Sequence, residues 1–269
     1  TVPHGSPERQ PLEDPQTGLT LVFDGRVDNR AELIEALGDS LADASDARLV
    51  LCAFKRWGEA TPERILGDFA WAVWDAKASR IFCARDTAGL RPFYYAWNGK
   101  TFRFASEIGA LLADGQVSRE PNEGMVGEYL ACAITSTEET LLRAVRRLPP
   151  GQHLTLEGGW LRLRRYWQPD PRMELRYKDD TEYAQHFLQV FKAAVRCRLR
   201  SAAPVGMDLS GGLDSSAYAC MSHVLLKEEP ALCPRLEAFS LIFPGQACDE
   251  SPFIAEAVNA WKMRHHAVE

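Results

Sequence analysis

Residues 209–216 read Leu209-Ser210-Gly211-Gly212-Leu213-Asp214-Ser215-Ser216, and this string decides the fold of the second half of the chain. Residues 204–209 read as a short strand, and residues 215–227 as a helix. Glycines between a strand and a helix let backbone N–H groups approach a ligand closely, and the helix N-terminus adds partial positive charge. Ser210, Ser215 and Ser216 add hydroxyl donors. Together they form a cradle for phosphate oxygens. Asp214 is out of place in an anion site unless Mg2+ bridges its carboxylate to the phosphates. The string is not a Walker A loop, which needs a lysine in GxxxxGKS or GxxxxGKT. It is not a GxSxG nucleophile elbow either, because Asp208 stands at the first glycine. The competing account is an ordinary turn with serine or aspartate capping the helix. The full string placed after a strand favours the cradle.

Working outward, residues 236–243 read as a second strand and 250–261 as a second helix. Strand–helix–strand–helix predicts a parallel α/β sheet. Upstream, residues 181–200 carry a helical stripe of Tyr183, Phe187, Val190, Phe191, Ala194 and Val195. Residues 168–180 hold two prolines and many charges and read as a linker. Earlier residues are rich in strand signals. Residues 19–29 read as a strand, an Asp24-Gly25 turn and a second extended stretch. Helices are expected at 30–37 and 44–57, and strands at 68–75, 80–85, 92–97 and 101–105, with a hairpin signal at Asn98-Gly99. Ser106 is expected to cap a short helix ending at Leu112. A last hairpin at 154–167 turns at 157–159. The domains are therefore 1–168 and 181–269, joined by a linker at 169–180.

The chain has 269 residues, 46% hydrophobic and 25% charged, enough to bury a real core. Its 31 Lys+Arg against 37 Asp+Glu argue against a nucleic-acid partner. Seven scattered cysteines without a CxxC exclude a disulfide scaffold and a zinc ribbon, and point to free thiols in a reducing, cytoplasmic setting. No apolar run is long enough to span a bilayer, so no membrane partner is expected. The chain begins at Thr1 and stops at Val268-Glu269, where Val268 reads as the start of a strand. It is expected to be a piece of a longer protein, cut at both ends.

Ser210–Ser216 resembles the pyrophosphate loop of ATP pyrophosphatases, in the form used by asparagine synthetases. Phe239-Ser240-Leu241-Ile242-Phe243-Pro244-Gly245, Asp249-Glu250 and His265-His266 follow that family's order. Upstream, Gly67-Asp68-Phe69-Ala70-Trp71-Ala72-Val73-Trp74-Asp75 is similar to its glutaminase core. So are the segments 84–95 and Phe104-Ala105-Ser106-Glu107. The resemblance implies an N-terminal-nucleophile-type αββα sandwich, followed by an incomplete parallel α/β adenine-nucleotide α-hydrolase-like domain. It implies an ATP-dependent, AMP-forming ligase that makes an acyl-adenylate and then an amide. By position, Leu209 and Leu241 contact adenosine, residues 210–216 hold the pyrophosphate end, and Asp214 binds Mg2+. ATP and Mg2+ are the expected cofactors, a small-molecule or peptide carboxylate is the substrate, and a homodimer is the expected assembly.

The glutaminase half departs from the family. Its nucleophile is an N-terminal cysteine, whereas Thr1 is first here and reads as a truncation point. Asp24-Gly25-Arg26 stands where the family has Asn-Gly-Glu. An ionised Asp24 cannot donate to an oxyanion, and Arg26 reverses the charge that recognises the glutamine amine. Asp46 matches the family's amine-binding aspartate. Glutamine is thus a partner only if a cysteine lies upstream. The amine is expected to belong to the substrate itself, as in β-lactam synthetases and lasso-peptide macrolactam cyclases; residues 23–30 look most like the latter. The alternatives are a glutamine-hydrolysing asparagine synthetase and a non-catalytic nucleotide- or peptide-binding module. His265-His266 suits one metal poorly, since neighbours on a strand face opposite ways. The run Arg162, Arg164, Arg165 beside Trp160 and Trp167 reads as a solvated hairpin face. Arg85 and Asp86 read as a structural pair, and Trp71, Trp74 and Cys83 as core.

Overall fold

The computed structural model describes residues 9–113 and 115–269, so the expectation for Thr1 falls outside the described residues. The chain divides into two compact units between Pro171 and Arg172.

The first unit contains β1 (Leu12–Asp14), β2 (Leu19–Val27), α1 (Arg30–Leu37), α2 (Asp46–Trp57), β3 (Gly67–Asp75), β4 (Arg80–Arg85), β5 (Tyr94–Trp97) and β6 (Phe102–Ala105). It continues with α3 (Ile108–Leu112), α4 (Glu123–Leu130), β7 (Arg146–Arg147), β8 (Gln152–Glu157) and β9 (Trp160–Arg165). One antiparallel sheet runs β1-β2-β3-β4-β8-β9, and a smaller one runs β6-β5-β7. Period-two alternation along β3 explains the layering. Phe69, Trp71 and Val73 pack with Leu33, Val50 and Phe54 of α1 and α2. Ala70 and Ala72 turn the other way, toward Phe93, Tyr95 and Leu148. The outer face of the small sheet carries Ala96, which clusters with Leu111 of α3. Helices, sheet, sheet and helix make the αββα sandwich. Trp71 and Cys83 are core, and burial pushes the Cys83 thiol up. Trp74 is not core: it is 43% exposed, near the end of β3.

Three local readings are corrected. Asp24-Gly25 is not a turn, because β2 pairs with β3 without interruption from Leu19 to Val27. Gly25 has φ +150°, and a Cβ there would lie 2.1 Å from the Asp68 carbonyl oxygen. Glycine is needed for close strand approach, not for a reversal. Ser106 does not cap α3; Glu107 holds the N-cap position without a side-chain bond. Arg85 and Asp86 do not act as a simple pair. Arg85 donates to the carbonyls of Arg91 (2.7 Å), Leu148 (2.7 Å) and Gly89 (2.6 Å). Asp86 instead accepts from backbone N–H groups around it. The sequence reading also missed β1, β7 and α4. The first two are too short to show a period, and α4 is capped by Asn122, whose side chain accepts from Met125 N at 3.4 Å.

Strand β1 is tied to α2 by an ion pair between Asp14 and Lys55 at 2.6 Å. The hydrogen bond from Lys55 holds the Asp14 carboxyl down at about 2. A depressed carboxylate stabilises the fold above its unfolded value and loses that contribution as pH falls through its folded value. The tie is therefore expected to persist at pH 4 and fade toward pH 2. Carbon-13 titration of the Asp14 carboxyl should report it, and Lys55→Met should return the midpoint to the ordinary range. An ordinary midpoint in the unmodified chain would refute the tie.

The second unit contains α5 (Asp180–Leu199), β10 (Val205–Asp208), α6 (Leu213–Glu228), β11 (Leu236–Leu241), α7 (Ser251–Trp261) and β12 (Arg264–Val268). Its strands form a parallel sheet in the order β10-β11-β12. Asp179 caps α5 by accepting from Thr181 N and Glu182 N. Val195, Leu199, Met207, Leu209, Ala219, Leu225, Ala238 and Ile254 form the core. The predicted α5 stripe is buried only toward its C-terminal end, at Val195; Phe187 is 71% exposed. Val268 closes β12 and does not begin it. Among the described residues, no helix is long and apolar enough to cross a membrane.

Candidate functional site

Parallel sheets place ligands beyond the carboxyl ends of their strands. Here those ends open on a cleft of about 400 Å³ lined by Asp208, Ser210, Leu241, Phe243, Glu250 and Val268 among others. Of the glycine-containing string, Leu209 and Ser210 line it, and Gly211, Gly212, Leu213 and Asp214 follow at its edge as the chain turns into α6. α6 begins at Leu213, two residues earlier than the sequence suggested, so Leu213 and Asp214 occupy the first helical turn. Gly211 has φ +87°, and a Cβ there would press within 3.2 Å of Glu250 and Phe253. Only glycine meets both demands without strain. Ser215, which is buried, knits the loop: its hydroxyl accepts from Ser210 N at 3.1 Å and donates to the Gly212 carbonyl at 3.1 Å. Among the described residues, the N–H groups of Gly211, Leu213 and Asp214 meet no acceptor. These are the donors that a helix start leaves for an anion.

The expected site residues do not all present side chains to this cleft. Leu209 buries its side chain in the core and offers only backbone at the floor. Leu241 stands on the wall, 67% exposed. Leu213 points to solvent, 90% exposed. The Asp214 carboxylate is exposed in the first helical turn, among the unpaired N–H donors. That donor set fits Mg2+, which takes one or two carboxylates and completes its shell with phosphate and water. Among the described residues, no group of three metal-binding side chains exists. His265 and His266 do face opposite ways. His265 meets the Ser240 hydroxyl at 2.9 Å, whereas His266 meets Glu237 at 2.9 Å and stacks on Phe239.

The glutaminase-type residues lie in the first unit. Asp24 lines a cleft of about 170 Å³ between the two sheets, with Val22, Ala70, Ala72, Phe93 and Phe104. Arg91 pairs with Asp24 at 3.6 Å. Arg26 is on the same face of β2 but donates to Asp28 at 2.8 Å. Asp46 is not brought to this cleft. It is buried, ion-paired with Arg30, and accepts from Val27 N at 2.9 Å. Arg162 and Arg164 are exposed on the edge strand β9, and Arg165 donates to Gln168 at 2.7 Å.

The sandwich, the parallel unit and its glycine-containing strand-to-helix loop mark the class to which comparison with known proteins also assigns the molecule. The chain belongs to the asparagine synthetase family: residues 4–167 match the glutamine amidotransferase domain family, and residues 186–269 match the asparagine synthase family. It is 30% identical over 256 residues to the putative asparagine synthetase (glutamine-hydrolyzing) 2 of Methanocaldococcus jannaschii, covering 92% of this chain and 47% of that protein. It is 29% identical over 274 residues to asparagine synthetase (glutamine-hydrolyzing) 3 of Bacillus subtilis, covering 96% of this chain and 44% of that one. Amidase chry2 of Gibberella zeae is 28% identical over 284 residues, covering 97% of this chain and 40% of the amidase. The chain thus spans less than half the length of these relatives.

Proposed function

We propose that the second unit is the ATP-binding part of a carbon–nitrogen ligase that activates a carboxylate as an acyl-adenylate. The observation that carries this reading is the cradle of unpaired N–H groups around Gly211 and the start of α6. In the reaction, a substrate carboxylate oxygen attacks the α-phosphorus of ATP. An O–P bond forms, the α–β bond breaks, and pyrophosphate leaves. An amine nitrogen then attacks the acyl carbon, a C–N bond forms, AMP departs, and the amine proton passes to a base. In this chain the loop N–H groups hold phosphate oxygens, and the apolar wall of Leu241 and Phe243 keeps water from the nucleoside. Asp214 would hold Mg2+, which screens phosphate charge when bound.

The test is Mg-ATP binding to the chain by equilibrium dialysis. Asp214→Ala is expected to weaken affinity about tenfold with magnesium, and to change it little without the metal. Equal affinities with magnesium would overturn the assignment of Asp214.

The amine is proposed to come from a peptide or small-molecule substrate. A carboxylate at position 24 repels a developing oxyanion. Arg26 and Asp46 are held by Asp28 and Arg30. In the full-length protein, pyrophosphate release is then independent of glutamine, and no ammonia appears. The second reading is a glutamine-hydrolysing asparagine synthetase, favoured by the names of two relatives. Formation of asparagine from aspartate, glutamine and ATP would establish it.

A further inference from the structure

We propose that His265 and Ser240 form a positioning relay that fixes the Leu209 carbonyl, and with it the peptide from which the phosphate loop departs. The relay rests on the nucleotide-binding reading above, but its geometry stands apart from it. Ser240 is 6% exposed on β11. Its hydroxyl donates to the Leu209 carbonyl at 2.6 Å. A carbonyl can only accept, so the single hydroxyl proton is committed there. His265 on β12 brings Nε2 to 2.9 Å from the same oxygen. With its proton spent, the Ser240 oxygen must accept, and Nε2 of His265 must carry the hydrogen. The imidazole is thereby held with its proton on Nε2.

The other pole of the same peptide is also gripped. Ser210 N donates to the Ser215 hydroxyl at 3.1 Å. One rung earlier, Leu209 N donates to the Phe239 carbonyl at 2.8 Å, which is the last backbone bond between β10's extension and β11. Beyond it the chain enters Gly211 and Gly212, which have no side chains to restrain them. The Leu209–Ser210 peptide is therefore the joint at which the loop leaves the sheet. Two hydroxyls set it, one on α6 and one on β11, and the latter is itself held from β12. Rotating this peptide would break both grips and redirect the N–H groups that follow. Neither Ser240 nor His265 needs to touch the nucleotide to act in this way; both are positioning residues.

The first test needs no variant. In a chain labelled with nitrogen-15 histidine, long-range proton–nitrogen correlation should show His265 with the proton on Nε2. Ser240→Ala should change that signature. Mg-ATP affinity should fall about five- to tenfold in Ser240→Ala and in His265→Phe, the ordinary worth of one hydrogen bond. Ser240→Thr, which keeps the hydroxyl, should restore it. The double variant Ser240→Ala/His265→Phe should bind no worse than Ser240→Ala, because both changes act through one carbonyl. Thermal unfolding of each variant checks that the losses are not unfolding. A proton on Nδ1 in the unmodified chain, unaltered affinity in Ser240→Ala, or losses that multiply would each overturn the relay. If the unmodified chain binds no Mg-ATP, the nucleotide reading fails, and the imidazole spectrum still decides whether the relay exists.

Discussion

Replacing Arg30 by methionine is expected to cost about 3–5 kcal/mol of stability, measured by urea titration. Arg30 and Asp46 are both buried, and their ion pair joins α1 to the start of α2. Arg30 also donates to the Ala44 carbonyl at 2.7 Å, and Asp46 accepts from Val27 N on β2. Removing the guanidinium strands a carboxylate in an apolar setting, which costs far more than an exposed pair would. Asp46→Ala should be similarly severe, whereas Arg30→Met/Asp46→Leu should recover much of the loss. The result also bears on chemistry. A carboxylate that holds two helices and a strand together cannot be spent on a substrate amine without loosening all three. A loss below about 1 kcal/mol for Arg30→Met would place Asp46 outside the framework.

The second large effect is at Asp86, which is 1% exposed. Its two oxygens accept from the N–H groups of Ala88, Leu90 and Arg91 at 3.0 Å each and from Phe69 N at 3.3 Å. One side chain thus organises the whole 86–91 loop and pins it to β3. Asp86→Ala is expected to destabilise by roughly 2–4 kcal/mol, because the buried Phe69 N–H and the partly buried N–H groups of the loop lose one shared acceptor, at about 0.5–3 kcal/mol apiece. Hydrogen exchange should show the 86–91 amides losing protection before the rest of the sheet. Arg91 rides on this loop, so the ion pair with Asp24 should loosen with it. Unchanged protection in Asp86→Ala would show that the backbone holds the loop unaided.

What the sequence made legible was local. The glycine-containing turn from β10 into α6, β3 and β4, the Asn98-Gly99 hairpin and the α5 helix were all written in spacing or turn chemistry within a few residues. Asn98 Oδ1 accepts from Lys100 N and Thr101 N, as such a turn requires. What stayed hidden depends on partners distant in the chain. Asp24-Gly25 carries a turn signal, but a strand more than forty residues later overrides it. Asp46 was marked by the family resemblance alone, and nothing near it announces its partner Arg30, sixteen residues away. Ser240 sits inside the family-like string 239–245, yet its partner oxygen on Leu209 is 31 residues upstream. Trp74 follows the same pattern in reverse: its strand was legible, but its exposure was not.

The uneven sizes of the side chains on β3 have a consequence for the cleft beside Asp24. That strand gives its bulk to the helices through Phe69, Trp71 and Val73, and only methyl groups to the facing sheet through Ala70 and Ala72. The hollow is therefore left by what β3 withholds, not carved by the residues at its mouth. Two isopropyl-for-methyl exchanges, Ala70→Val and Ala72→Val, would plug it without altering a single charged group. A lineage that no longer needed the hollow could silt it up from below, leaving Asp24 and Arg91 guarding a door with no room behind it.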